Sequence, residues 1–496
     1  MSNATNASSS EQPVAMSRRQ KLILLLLLGT QFMLSVDFSV FNVALPSIGR
    51  SVGISLSRLQ WVIIAFALPT AGFTLLFGRV ADVVGRRRMF CGALCLLIAA
   101  SLVGGLANSP AVLLGARVLQ GLATAAAIPA AFALLVVTFP EGPLRQRALG
   151  LSGSLVAGGS IAGAVLGGVL TSALSWRWAF LFNVPVATLI VLCAPRIIAE
   201  SRGTLGRRLD ALGAFAVTTS LLALVYGIVT AGNDHWRSLV GWVLIAAGAV
   251  LMAAFLAIEK RSLNPLVPLS VLRRPAVGWG NLGGFAAFAM QSALTFVLGV
   301  YLQRVLHYSA LDAGLILGVP FAFAFISGIV APRTMKRTGS RALLAGGLAV
   351  QGLANLALIF VGRDSAALPL LLALSCVSFF AHLHAVVAFT VTTTSELPDD
   401  QQGLATSLLT QTQQTAITIG VPIIGTIATA VAAGHIGQLT RHIHIAVAVD
   451  GALALIAALI VGAALTSPRL MPRMRPASGS TPARVDPGAA APSPRP

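Results

Sequence analysis

Residues 21–46 read KLILLLLLGTQFMLSVDFSVFNVALP. A helix rising about 1.5 Å per residue crosses a hydrocarbon core in about 20 apolar residues, and this stretch is long enough to do so. Inside it sits Asp37. On insertion scales a carboxylate at membrane depth costs about 2.5–3.5 kcal/mol, so such a residue faces a bundle interior or a watery cavity. The apolar run sets the fold class, and the acid within it sets the functional question.

Working outward, 56% of the 496 residues are hydrophobic and only 10% charged, and the mean hydropathy is +0.86. A soluble protein of this size could not hide that much apolar surface. Only helices and closed barrels satisfy the backbone inside a bilayer, and runs of about 20 residues select helices. The chain reads as an all-α polytopic membrane protein.

The formal charge of +19 invites a nucleic-acid reading. The cations, however, lie in short clusters between apolar runs, as the positive-inside rule expects. No solvated basic surface is left for a nucleic acid. No GxxxxGK[ST] stretch occurs, so no nucleotide partner is expected, and nothing suggests an enzyme. Cys91, Cys95, Cys193 and Cys376 all lie in apolar segments without metal-site spacing, which points to packing and to no metal or cofactor. Lysine occurs only at 21, 260 and 336, and arginine, alanine and glycine abound, the composition of a GC-rich bacterial genome.

Fourteen spans are read, at about 21–45, 60–78, 88–107, 110–138, 148–172, 178–198, 209–230, 239–258, 275–300, 311–332, 341–361, 366–391, 403–432 and 444–466. Residues 1–20 form a polar tail, and residues 467–496, rich in Pro, Ala, Ser and Arg, a disordered one. The basic residues before the first run mimic a signal peptide, but the run is too long and lacks a small-residue cleavage site. Charge alternation tests the count. Of the 34 Lys and Arg, Arg117 falls inside a span. Arg50, Arg58, Arg177, Arg237, Arg304, Arg363 and Arg441 fall in one set of loops, and the rest lie in the other loops and the tails. This places both termini in the cytoplasm, favours fourteen spans over twelve, and makes the sequons at Asn3 and Asn6 accidental.

The loop after the second span, FGRVADVVGRRRMF (77–90), resembles the loop after the tenth, SGIVAPRTMKRTGSRALL (327–344). They lie eight helices apart, as expected of two six-helix bundles (21–198 and 263–466) with two helices inserted between them (199–262). Parallel repeats of this kind characterise a transporter architecture whose binding site lies near the midplane between the halves.

The same stretches resemble a known family. GRVADVVGRRRMF is similar to the cytoplasmic loop motif of the major facilitator superfamily, with Gly78, Asp82, Gly85, Arg86 and Arg87 at its key positions. SVDFSVFNVALP (35–46), LLGARVLQGLATA (113–125, with Arg117, Gln120 and Gly121), WRWAFLFNVP (176–185), EKRSLNPLVPL (259–269) and GLATSLLTQTQQ (403–414) resemble, in order, motifs of its fourteen-helix drug:proton antiporters. The antiporter motif of the fifth helix is matched by GGSIAGAVLGG (158–168), with Gly159, Gly163, Gly167 and Gly168, but Ala164 replaces the family's proline. Glycines at a spacing of four let helices approach closely.

Each candidate has a functional and a structural reading. Asp37 is a protonatable group on the translocation path, or an acid satisfied by neighbours such as Ser39 or Asn42. Arg117 needs a carboxylate or carbonyl partner; the resemblance implies proton coupling, and the alternative is a helix clamp. Asp82 could engage a positive helix N-terminus, and the resemblance implies a latch closing the cytoplasmic side, whereas Arg86, Arg87 and Arg88 also serve topology. His382 and His384 are two residues apart and so point to different faces, either for coupling or for interhelical bonding. Ser407, Gln411, Gln414 and Thr418 form one stripe that lines the cavity or binds a neighbouring helix. Asn42 and Gln120 are further cavity candidates. Phe32, Phe38, Phe41, Phe66 and Phe73 form a greasy surface or simply pack. Asp450 is placed near the outer interface, with little weight.

The expected function is export of an antibiotic or another bulky, amphipathic toxic compound, cationic or neutral, across the plasma membrane, driven by protons through alternating access. The alternatives on the same fold are an exporter of one self-made metabolite or an importer of a nutrient. A non-transporting receptor or scaffold would call for a folded sensor domain that the short loops do not provide.

Overall fold

The computed structural model describes residues 16–55, 58–139, 143–202, 211–233, 236–261, 271, 274–394, 402–429 and 436–466. The expected disorder of 467–496, the sequons and most of the 259–269 motif lie outside them. Among the described residues the chain is helical throughout. Its helices are α1 (Arg18–Val52), α2 (Trp61–Val84), α3 (Arg86–Gly105), α4 (Pro110–Thr138), α5 (Pro143–Ala173), α6 (Trp178–Ile197) and α7 (Ala211–Asn233). They continue as α8 (Leu239–Arg261), α9 (Pro275–Arg304), α10 (Ala310–Thr338), α11 (Ser340–Phe360), α12 (Leu368–Thr394), α13 (Gln402–Thr429) and α14 (Ile436–Thr466).

Local chemistry sets several ends. Ser17 and Gln20 form a capping box that starts α1, and Ser309 with Asp312 starts α10 in the same way. Pro110 and Pro275 occupy the first turn of α4 and α9, where their missing N–H costs nothing. The junctions α2–α3 and α10–α11 are each a single glycine, Gly85 at φ 119° and Gly339 at φ 82°, in the region that favours a residue without Cβ. The two related loops of the sequence thus become two one-residue turns of the same kind.

Eleven of the described helices are long and apolar enough to cross a membrane, or twelve when α2, bent by 57° between Trp61–Thr74 and Leu76–Val84, is one span. A helix stands at each of the fourteen places read from the sequence, and the described parts of α5 and α13 are not among the twelve. The apolar part of α5 is the short Gly158–Ala173, and α13 carries the polar run 411–415.

Packing sorts the helices by depth. α9 is central, with 89% of its most apolar window buried, and it touches α12, α13, α14 and α1. α8 is the reverse, 17% buried, and leaves Leu239 and Val250 exposed as a lipid-facing surface. It pairs with α7, where Gly227, Gly241 and Gly248 permit backbone contact, and α7 in turn rests on α2 and α13.

α1 to α6 pack mainly on one another, as do α9 to α14. Between these groups run α5 against α10, α2 against α13, and α1 against α9. A Cβ on Gly314 of α10 would stand 2.4 Å from the Ala164 carbonyl, and Leu311 N–H donates to Ser172 Oγ at 3.0 Å. Gln303 donates to the Val43 carbonyl at 2.9 Å and Gln60 to Thr426 Oγ1 at 3.3 Å. These contacts join the groups at the end remote from Gly85 and Gly339.

Candidate functional site

The centre of the first six helices is a buried polar chain. Asp37 and Arg117 are both fully buried, and Arg117 Nη1 lies 3.1 Å from Asp37 Oδ2. Asn183 Nδ2 of α6 donates to Asp37 Oδ1 at 2.5 Å. Arg117 also donates through Nε to the Val62 carbonyl at 3.0 Å and through Nη1 to Gln120 Oε1 at 3.0 Å. Gln120 Nε2 in turn donates to Ser101 Oγ of α3 at 3.0 Å. The chain Ser101–Gln120–Arg117–Asp37–Asn183 therefore ties α3, α4, α1 and α6 together. Gly121 makes this possible: a Cβ there would meet the Phe66 carbonyl at 2.3 Å, so only glycine lets α2 bring Val62 so close to α4.

The rings of Phe41 and Phe66 lie 3.8 and 4.4 Å from the Arg117 guanidinium, a double cation–π contact in a site without bulk water. Phe41 also meets Phe180 edge-on at 4.7 Å. Two of the five phenylalanines read from the sequence thus clothe the cation. Arg117 Nη2 is buried without a hydrogen-bond partner.

Neither Ser39 nor Asn42, the neighbours named in the structural alternative, bonds Asp37. Asn42 donates to the Phe38 carbonyl at 3.2 Å, and its own carbonyl lies 2.8 Å from a Cβ built on Gly299, at the α1–α9 contact. The partner is Asn183, which the sequence presents only as one residue of the WRWAFLFNVP stretch. A neutral amide in an apolar helix carries little signal by itself.

The glycines of α5 form a seam. A Cβ on Gly159 would lie 2.8 Å from Ser35 Cβ, one on Gly163 2.6 Å from Ser39 Cβ, and one on Gly167 2.9 Å from the Val40 carbonyl. Gly168 faces the other way, 2.8 Å from the Ala310 carbonyl of α10. α5 is therefore clasped between α1 and α10, and Ala164, buried in that clasp, turns its carbonyl toward Gly314.

At the α2–α3 turn, Arg86 donates through Nε and Nη2 to Asp82 Oδ1, at 2.9 and 2.8 Å. The carboxylate on the N-terminus of α3 itself belongs to a different residue. Glu200 accepts from the backbone N–H of Arg87 at 3.0 Å and of Arg88 at 3.2 Å, where the helix dipole favours a negative charge. Arg87 adds bonds to the carbonyls of Pro195 and Ile198. A Cβ on Gly85 would stand 2.8 Å from Glu200 Oε1, whereas Gly78 meets Pro129 at an ordinary 3.5 Å.

In the second six helices, His382 and His384 do face different neighbours. His384 Nδ1 bonds Ser327 Oγ of α10 at 2.6 Å, while His382 bonds the Ala287 carbonyl and meets Phe288 edge-on at 5.4 Å. The stripe on α13 binds a neighbouring helix: Gln411 donates to the Ala71 carbonyl and Thr418 to that of Ala67, both on α2. Gln414 is half-buried beside them, and the Ser407 side chain lies outside the described residues. Asp450, read as peripheral, is instead fully buried and bonded to Asn355 at 2.6 Å. Hydropathy starts the last span at 444 and so puts the acid in its second turn; α14 begins at Ile436 and holds Asp450 at its middle.

Comparison with known proteins agrees with this architecture. The chain is 35% identical to the cephamycin export protein CmcT of Amycolatopsis lactamdurans over 84% of its own length and 87% of that protein. It is 34% identical to the puromycin resistance protein pur8 of Streptomyces alboniger, over 84% and 83% respectively. Among solved structures, the peptide transporter POT in complex with sulfate superposes with a TM-score of 0.68 at 15% identity, covering 90% of this chain and 95% of that one, a likeness of fold alone. Residues 27–421 match the Major Facilitator Superfamily, and the chain belongs to that family.

Proposed function

We propose that the chain is a proton-coupled secondary active exporter of antibiotics or other amphipathic toxic compounds. The observation that carries this reading is the fully buried pair Asp37–Arg117 at the centre of the first six helices. Ionisable groups at membrane depth mark ion pathways and proton relays. When the carboxylate takes up a proton, Arg117 keeps two neutral partners, the Val62 carbonyl and Gln120. Asp37 is the proton carrier, Arg117 its counter-ion, and Gln120 and Asn183 position the two.

The bundles 21–198 and 263–466 rock about a midplane cavity, with 199–262 as a lipid-facing insertion. The end joined by α5 and α10 is the outer one, and both termini and the two glycine turns are cytoplasmic, so the conformation described is closed to the outside. Gly78, Asp82, Gly85, Arg86 and Arg87 make up the cytoplasmic gate, with Glu200 fixing its base. Gln411, Gln414 and His382 border the substrate path. An amphipathic cationic or neutral cargo fits a core with a single internal ion pair among its described residues. The two relatives, named for cephamycin export and puromycin resistance, support an antibiotic cargo. The first of these names also favours a second reading, an exporter dedicated to one compound.

The test uses inverted membrane vesicles with an imposed pH gradient and a panel of cationic, neutral and anionic antibiotics. At least one compound is expected to collapse the gradient with the wild type and not with Asp37→Asn. No collapse by any compound, with the protein folded and inserted, contradicts broad antiport.

A further inference from the structure

The first six helices hold their buried acid against a cation; the last six hold one without. Asp450, fully buried at the middle of α14, accepts from Asn355 Nδ2 of α11 through Oδ2 at 2.6 Å. Asn355 Oδ1 accepts from Ser378 Oγ of α12 at 2.5 Å. Oδ1 of Asp450 has no partner.

α9, α11 and α13 pack against α14, and α12 supplies Ser378. On α9 the titratable groups are Tyr301, which donates to the Gly362 carbonyl, and Arg304 in the last turn. On α11 there is Arg341 in the first turn, and α13 has none. On α12, Cys376 is buried, His382 faces Ala287 and His384 faces Ser327. On α14 itself, His444 bonds the Val361 carbonyl, and Arg441 and His442 lie two turns or more from Asp450. Among the described residues no ion pair reaches Asp450.

The internal repeat shows what is missing. Ser101 lies sixteen residues past Gly85, and Asn355 sixteen past Gly339. Gln120 lies ten residues past the start of α4, and Ser378 ten past the start of α12. The bond Gln120–Ser101 thus has its counterpart in Ser378–Asn355. By the same offset Arg117 corresponds to Ser375, buried and without a hydrogen-bond partner. The second cluster keeps the polar bridge and has an acid, but carries a serine where the first has its cation.

An ionised carboxylate with one neutral donor and no counter-ion is a costly thing to bury, and such a group takes up a proton instead. We propose that Asp450 is a second proton-binding site, occupied in this conformation, with the proton on Oδ1 because Oδ2 already accepts from Asn355. Each half then carries one protonatable acid, one balanced by an arginine and one by a proton. Only the use of that proton in transport rests on the proton-coupled reading; its presence does not.

Infrared spectra of the purified full chain in lipid at neutral pH test this directly. The wild type is expected to show the carbonyl band of a buried protonated carboxylic acid that is absent in Asp450→Asn and retained in Asp37→Asn. A wild-type spectrum that loses no such band in Asp450→Asn overturns the proposal, because the carboxyl is then ionised. Asn355→Ser keeps the acid and removes its donor, and covers the case in which Asp450→Asn does not fold: the band is expected to shift, and an unmoved band overturns the assignment. Because this readout needs no substrate, failure of proton-coupled export in vesicles leaves it unaffected.

Discussion

Arg117 Nη1 stands 3.1 Å from Asp37 Oδ2 with neither side chain exposed, and the guanidinium lies over the rings of two phenylalanines. Leaving one member of such a pair alone strands a buried charge, which costs about 3–5 kcal/mol. Arg117→Ala should therefore lower the thermal unfolding midpoint sharply and abolish transport. The double variant Asp37→Asn/Arg117→Gln should be more stable than the single one. Melting curves of the purified variants in detergent check this; equal destabilisation by single and double variants would mean that the charges are not coupled.

Arg117→Lys keeps the charge but not the fork. A lysine ammonium cannot reach Val62, Gln120 and Asp37 in the geometry of a planar guanidinium, nor stack on Phe41 and Phe66 in the same way. Transport should fall at least about tenfold, the factor of about 1.4 kcal/mol, with the protein still folded. Uptake assays at matched expression measure it.

The seam between α1 and α5 has no room for side chains. Gly163→Leu places carbon 2.6 Å from Ser39 Cβ and should destabilise by about 1–3 kcal/mol or more, as overpacking does. Gly158→Ala, one residue from the seam and facing open space, should leave the melting midpoint unchanged. Equal effects of the two would argue against the close approach.

Glu200 caps α3 with two backbone hydrogen bonds, and Glu200→Ala should cost about 0.5–2 kcal/mol. Gly85→Ala should cost more, because φ 119° is unfavourable for alanine and its Cβ would press on the Glu200 carboxylate. Hydrogen exchange at the first turn of α3 reports both variants.

Gly314→Leu drives a side chain into the Ala164 carbonyl, 2.4 Å from where its Cβ must sit. It should separate α5 from α10 and shift the population away from the conformation described. Spin labels at Leu174 and His307, in a background lacking the four cysteines, should report a longer distance than in the parent.

What the sequence makes legible is what is rare in an apolar chain. Asp37 and Arg117 stand out because charge inside a span is costly, and the glycine spacing of α5 stands out because few packings require it. The loops around 85 and 339 stand out through their cations, but hydropathy makes them several residues long where the helices meet at a single glycine. Single neutral or loop residues do not stand out: Asn183 has no compositional signature, and Glu200 lies just past the end of α6 in ordinary polar company. Asp450 is visible in the sequence but its depth is not, because hydropathy alone starts the last span at 444 and ignores the helical turns that carry Arg441 and His442. Hydropathy sets where a helix becomes apolar, not where it begins.

The most direct test of proton coupling at Asp37 is substrate-evoked proton release from the purified protein in weakly buffered detergent solution. The vesicle panel supplies the compound. Wild type should acidify the solution on addition of that compound, and Asp37→Asn, binding the same compound, should release fewer protons. Equal release by the two proteins would contradict Asp37 as the coupling group and leave the buried pair as a clamp between α1 and α4.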